Sequence, residues 1–258
     1  MFAFALLFGG FVGCALGLTG GGGGVLAVPL LVYGLALAPR EAVGVSLASV
    51  GATALFGAVP RLFRGQVQLR CGFLIAVPGV AAAPIGNWAQ QQISEHTLLL
   101  LFGILMFLIA WRMWIKGDEG ANESVIPDDP ENPSQSTLVL VLMGLTTGFL
   151  SGMLGVGGGF VLVPALVLFG NMPIQQAVPT SLLAIAFISA SGVVSYLYGG
   201  ESVSGQTVFP FMLGGFAGLL VGSRISKYLD GPSLQRVFSV GVVLVALFVI
   251  SKSLLSQG

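Results

Sequence analysis

Apolar residues run along this chain in blocks close to the twenty-residue length that carries a helix across about 30 Å of hydrocarbon. Such blocks predict membrane crossings at 42–60, 71–88, 97–115, 177–198, 207–223 and 234–255. Two further apolar stretches, 2–34 and 137–170, are too long for one crossing and too short for two, and each is broken near its middle by glycine. The only sustained polar run is Gly117 to Ser136, and its acids, prolines and small polar residues cannot bury a core. It predicts a solvated linker (117–136) between a first membrane repeat (1–116) and a second (137–258).

The two halves match at an offset of 135 residues. Gly17-Leu18-Thr19-Gly20-Gly21-Gly22-Gly23-Gly24, closing at Pro29, falls on Gly152-Met153-Leu154-Gly155-Val156-Gly157-Gly158-Gly159, closing at Pro164. Ala42-Val43-Gly44-Val45-Ser46-Leu47 falls on Ala177-Val178-Pro179-Thr180-Ser181-Leu182, and Gly65 falls on Gly200. With one inserted residue, Gly79 and Gly86 meet Gly215 and Gly222. Alignment over most of each half indicates an internal duplication, a construction common among secondary transporters.

Composition narrows the picture. Of 258 residues, 55% are hydrophobic and 8% charged, against roughly 25% charged in a soluble domain. The 10 cationic and 10 anionic side chains cancel, and no Lys/Arg block offers a grip for nucleic acid. Met1 to Leu18 lacks a positive n-region and flows into more membrane-type sequence, so it is expected in the mature protein rather than as a cleaved signal. Cys14 and Cys71 have no metal-ligand spacing and read as packing residues. His96, the single histidine, sits beside Glu95 in an expected external loop. With no acid near the middle of any predicted crossing, no Ser-His hydrolase, metalloenzyme or buried-acid proton relay can be assembled. No catalytic residue, metal or cofactor is expected, and the protein is not read as an enzyme.

Charge also sets topology, because Lys and Arg in short loops mark the cytoplasmic side. If each glycine-broken stretch crossed once, the cations would divide poorly between the two faces. If each enters and leaves on one side, as a re-entrant hairpin or a pair of short helices, then Arg61, Arg64, Arg70, Arg112, Lys116, Arg224, Lys227 and Arg236 lie inside, with only Arg40 and Lys252 outside. The predicted fold is therefore an all-α polytopic membrane protein of two inverted-topology repeats. Each repeat has a glycine-broken helical segment followed by three transmembrane helices, with both termini outside.

The breaks are where chemistry is expected. Glycine costs about 1 kcal/mol relative to alanine in a helix interior, so contiguous runs need a reason. Small-residue packing uses every fourth position, as Gly214, Gly218 and Gly222 do. Runs at 20–24 and 155–159 instead suggest a broken helix, whose free N–H groups carry positive partial charge that an anion can approach. Gly20, Gly22, Gly23, Gly157, Gly158 and Gly159 are the backbone candidates, with Ser46 and Ser181 as equivalent hydroxyl donors. Thr19, Ser49, Thr53, Ser151, Thr180 and Ser189 supply further hydroxyls near the breaks, each with the alternative of bonding its own helix at i−4. Asn87, Tyr196 and the Gln90–Gln92 run suit access routes or interfacial anchoring.

The paired motif, a glycine-rich break, a proline, then Ala-Val-x-x-Ser-Leu opening the next helix, resembles the sulfite exporter TauE/SafE family of bacterial membrane permeases. The likeness spans nearly the whole chain outside the linker. It implies a secondary transporter of sulfite or an organosulfonate in the bacterial inner membrane. Val45 against Thr180, and arginines in the 61–70 loop with no counterpart, imply an asymmetric pocket. A passive anion channel and a non-transporting membrane scaffold are the competing functions.

Overall fold

The computed structural model describes residues 2–21, 23–116, 137–168, 172–201 and 203–226. Gly22, the linker 117–136, Lys227, Arg236, Lys252 and the crossing expected at 234–255 lie outside those residues. The described residues are helical: α1 (Phe2–Thr19), α2 (Gly24–Pro29), a π-helical turn (Leu30–Gly34), α3 (Pro39–Phe63), α4 (Leu69–Gln92), α5 (Glu95–Lys116), α6 (Thr137–Leu154), α7 (Gly159–Leu168), α8 (Ile174–Tyr198) and α9 (Gly205–Ile225). Six of them, α1, α3, α4, α6, α8 and α9, are long and apolar enough to cross a membrane. Large apolar side chains such as Phe4, Phe11, Phe63, Val77 and Trp88 are turned outward, as a lipid-facing surface requires. His96 belongs to the first turn of α5, not to the loop expected for it.

Both stretches with central glycines are hairpins. Helix α1 ends where Gly20, at φ +75°, donates its N–H to the Leu16 carbonyl. Helix α6 ends in the same way at Gly155, at φ +72°, bonded to Ser151. This left-handed cap is open to glycine at little cost and satisfies a terminal carbonyl. The chain then turns back on itself. Gly23 packs against Val12 and Leu16 of α1, two and one turns from that helix's end, so α2 starts part-way down the hairpin.

Close glycine contacts fix how neighbouring helices run. A Cβ on Gly9, Gly13 or Gly17 of α1 would strike the backbone of Phe211, Gly215 and Leu219 of α9 in turn, so these helices are parallel. Likewise Gly144, Gly148 and Gly152 of α6 lie on Ile75, Gly79 and Ala83 of α4. Helix α3 runs with α9, where Thr53 meets Gly215 and Gly57 meets Leu219, and α4 runs with α8, where Gly72 meets Leu183 and Gly79 meets Ile188. Helices α3 and α8 cross in opposite directions, with Gly44 against Tyr196, Gly51 against Ser189 and Gly57 against Leu182.

Two bundles result. Helices α1, α3 and α9 point one way; α4, α6 and α8 point the other. The most extensive helix pairings, α1 with α9 and α4 with α6, each join the two halves of the sequence. Gly214, Gly218 and Gly222 are packing residues, as their fourfold spacing predicts, set against Leu6, Gly10 and Cys14. Arg61, Arg64, Arg70 and Arg224 sit at one end of the assembly, while Phe2, Arg40 and Gln90 sit at the other.

Candidate functional site

The two hairpin turns meet in the middle of the bundle. A Cβ on Gly21 would run into Gly159, and one on Gly24 would run into the Val156 carbonyl. The positive ends of α2 and α7 thus approach one point from opposite sides. Among the described residues, the N–H groups of Gly21, Gly23, Val156, Gly157 and Gly158 donate to no acceptor. Gly157 and Gly158 hold φ of +68° and +69°, a conformation costing roughly 1–2 kcal/mol in any residue with a side chain. The free N–H groups of Gly157 and Gly158 thus belong to backbone that only glycine adopts readily.

The serines expected as ligands have a different immediate task. Ser46 on α3 donates to the Gly155 carbonyl at 2.5 Å. Its counterpart Ser181 on α8 donates to the Gly20 carbonyl at 3.0 Å, and to Val178 of its own helix at 2.8 Å. Each half therefore pins the hairpin turn of the other. Both serines are fully buried, and their protons are committed to carbonyls left free by the ends of α1 and α6.

Hydroxyls with no partner gather around the second hairpin turn instead. The Oγ atoms of Ser49, Ser151 and Ser189 and the Oγ1 of Thr147 are buried and make no hydrogen bond. Thr147 lies against Gly158, and a Cβ on Gly157 would stand 3.4 Å from Ser189 Oγ. Ser151 begins the last turn of α6, and Ser49 lies three residues after Ser46 on α3. A buried hydroxyl without a partner costs about 1–3 kcal/mol. Thr147 and Ser189 stand beside Gly158 and Gly157, whose N–H groups are free, so the turn offers neutral donors that no group of the folded chain takes up.

Thr147 went unnoticed in the sequence because the 135-residue offset places it on Val12, so repeat logic weighs against it. The remaining candidates have hydrogen-bond partners within the fold. Thr19 and Thr53 donate to carbonyls four residues back, Ala15 and Ser49. Thr180 Oγ1 accepts from the Gln68 N–H at 3.0 Å, at the start of α4. Asn87 and Tyr196 lie away from the hairpin turns, at the Arg40 end, where Asn87 bonds Ser195 and Tyr196 bonds the Arg40 carbonyl. Among the described residues, no group of His, Cys, Asp and Glu could hold a metal.

Comparison with known proteins gives one consistent answer. Residues 5–249 match the family described as Sulfite exporter TauE/SafE. A probable membrane transporter protein of Xylella fastidiosa (strain Temecula1 / ATCC 700964) is 33% identical over 253 residues, covering 95% of this chain and 93% of the relative. The probable membrane transporter protein YunE of Bacillus subtilis is 26% identical over 267 residues, 97% and 96% of the two chains. MJ0441 of Methanocaldococcus jannaschii, also a probable membrane transporter protein, is 28% identical over 198 residues, 74% and 71%. No solved structure matches the chain.

Proposed function

We propose that this chain, which belongs to the sulfite exporter TauE/SafE family, is a secondary permease for a small sulfur oxyanion or organosulfonate, with sulfite the first candidate. Family membership makes it a membrane transporter; the solute class is argued from the site. The observation that carries the reading is the donor set at the second hairpin turn: the free N–H groups of Gly157 and Gly158 beside the unpartnered hydroxyls of Ser189 and Thr147, with the free Val156 N–H in the same turn and the unpartnered Ser151 hydroxyl in the last turn of α6. An oxyanion supplies the acceptors that these donors lack. The N-terminus of α7 adds favourable potential. No charged side chain lies near the site among the described residues, so the anion is held by neutral groups and released readily, since a bare cation at low dielectric would grip it far harder.

Helix packing supports one choice of moving bodies. Among the described residues the two halves interlock through α1 on α9 and α4 on α6, which argues against their rocking as units. We take the α1–α3–α9 and α4–α6–α8 bundles to rock against each other instead, along the α3–α8 seam, exposing the centre to alternate faces. Ser46 to Gly155 and Ser181 to Gly20 both cross that seam and would exchange partners as it opens. The gathering of Arg61, Arg64, Arg70 and Arg224 at one end supports the reading of that end as cytoplasmic, with both termini on the periplasmic side of a bacterial inner membrane.

The test is uptake of labelled sulfite, with sulfate and a small organosulfonate as competitors, into liposomes holding purified protein. Saturable uptake accelerated by sulfite on the far side supports a carrier; linear flux without counterflow would mean a channel. No flux of any of these solutes in folded protein removes the sulfur-anion reading.

A further inference from the structure

A second collection of buried polar atoms without partners lies at the Arg40 end, where α3 begins and α4 and α8 finish. Gln90 is 2% exposed, and neither its Nε2 nor its Oε1 has a partner. Asn87, also 2% exposed, gives Nδ2 to Ser195 Oγ at 3.2 Å and leaves Oδ1 unmet. Arg40 reaches across from α3: its Nη2 donates to the carbonyls of Gln91 and Ile93, both at 3.3 Å, while its Nε is buried without an acceptor. Tyr196 of α8 donates to the Arg40 carbonyl at 3.1 Å.

Each unmet buried polar group costs about 1–3 kcal/mol, and a leucine at position 90 would carry no such cost. The arrangement occurs at one end only. At the repeat offset Arg40 falls on Gln175 and Tyr196 on Arg61, and with the inserted residue Asn87 falls on Ser223. It also straddles the seam, with Arg40 in one bundle and Asn87, Gln90 and Tyr196 in the other.

We infer that this junction is a second anion station, a vestibule site for a singly charged oxyanion that still carries a proton, such as hydrogensulfite. Arg40 Nε and Gln90 Nε2 are donors for its charged oxygens. Gln90 Oε1 and Asn87 Oδ1 are acceptors, which repel a bare dianion and receive the O–H of a protonated one. Glu41, next to Arg40 in the first turn of α3, tempers the field of the guanidinium, so the site passes the anion on rather than retaining it. The choice of ligand rests on the transport reading above, but the residues are separate from the central donor set.

The experiment images wild-type protein with selenite, the heavier analogue of sulfite, and measures labelled-sulfite binding and sided flux for Gln90→Glu and Gln90→Leu. Selenite within hydrogen-bond reach of Gln90 Nε2 is expected, as is loss of one of two bound equivalents in either variant. Half-saturating sulfite should rise about tenfold at the Arg40 face and stay unchanged at the opposite face, the factor set by losing roughly one hydrogen bond. Water alone beside Gln90, with binding unaltered in the variants, overturns the station even where sulfite flux is intact. Selenite at Gln90 in a protein that moves no sulfite would keep the station and remove the transport reading.

Discussion

Ser46 on α3 and Gly155 at the end of α6 are joined by a 2.5 Å hydrogen bond between residues 109 apart in the chain. The bond is repeated by Ser181 and Gly20 at the equivalent positions of the other half. Because Ser181 shares its proton with its own helix and Ser46 does not, the two are unequal. Ser46→Ala leaves a buried carbonyl without a donor and should lower stability by about 1–3 kcal/mol, with Ser181→Ala costing less. Thermal unfolding of detergent-solubilised protein, followed by retention of the monodisperse peak, measures both. Equal shifts would mean that the second acceptor of Ser181 does not weaken its hold on Gly20, and no shift in either variant would mean that these bonds do not hold the hairpin turns.

Gly158→Ala combines two penalties, a side chain at φ +69° and a collision with Thr147. Gly65→Ala carries the first alone, since φ is +68° and nothing lies within 4 Å of its Cβ. The Gly65 variant should lose roughly 1–2 kcal/mol and keep its flux. The Gly158 variant should lose more stability and most of its transport. Parallel uptake and melting curves separate the two, and an active Gly158→Ala would remove that glycine from the site.

Thr147→Val and Ser189→Ala delete hydroxyls that have no partner in the folded chain. Removing them relieves a desolvation cost, so each variant should be as stable as the parent or more so by about 1 kcal/mol. Flux at low sulfite should fall about tenfold if each donates one hydrogen bond to the anion. Stability and activity moving in opposite directions is the signature of a ligand-binding group; a joint fall would show packing residues.

Cysteines placed at Gln66 and Ser226, in a background lacking Cys14 and Cys71, should react with an impermeant maleimide from one face of the membrane, and a cysteine at Ser94 from the other. Parallel α3 and α9 put the first two at the same end. Labelling of 66 and 226 from opposite faces would contradict the shared direction of those helices.

Much of this was legible in the sequence. The 135-residue offset located both hairpin turns, and fourfold glycine spacing marked the α9 face that lies on α1. What the offset hid was the use made of equivalent residues. Ser46 and Ser181 are symmetric because they pin symmetric carbonyls, whereas the free donors cluster where symmetry fails, at Thr147, Ser151 and Ser189, whose counterparts are Val12, Leu16 and Ala54. Partner choice across 109 or 161 residues leaves no periodic trace, so sequence reading finds the hydroxyls without finding what they bond.

The reciprocal pinning also bears on ancestry. Neither half completes itself, since each hairpin turn is secured by the other half's serine and α1 and α6 find their glycine-lined partners in α9 and α4. A half-length progenitor with this packing would have been stable only as an antiparallel homodimer, its copies inserted into the bilayer in both orientations. Two identical copies would have to carry the same hydroxyls, whereas one chain holding both halves lets Thr147, Ser151 and Ser189 stand against Val12, Leu16 and Ala54.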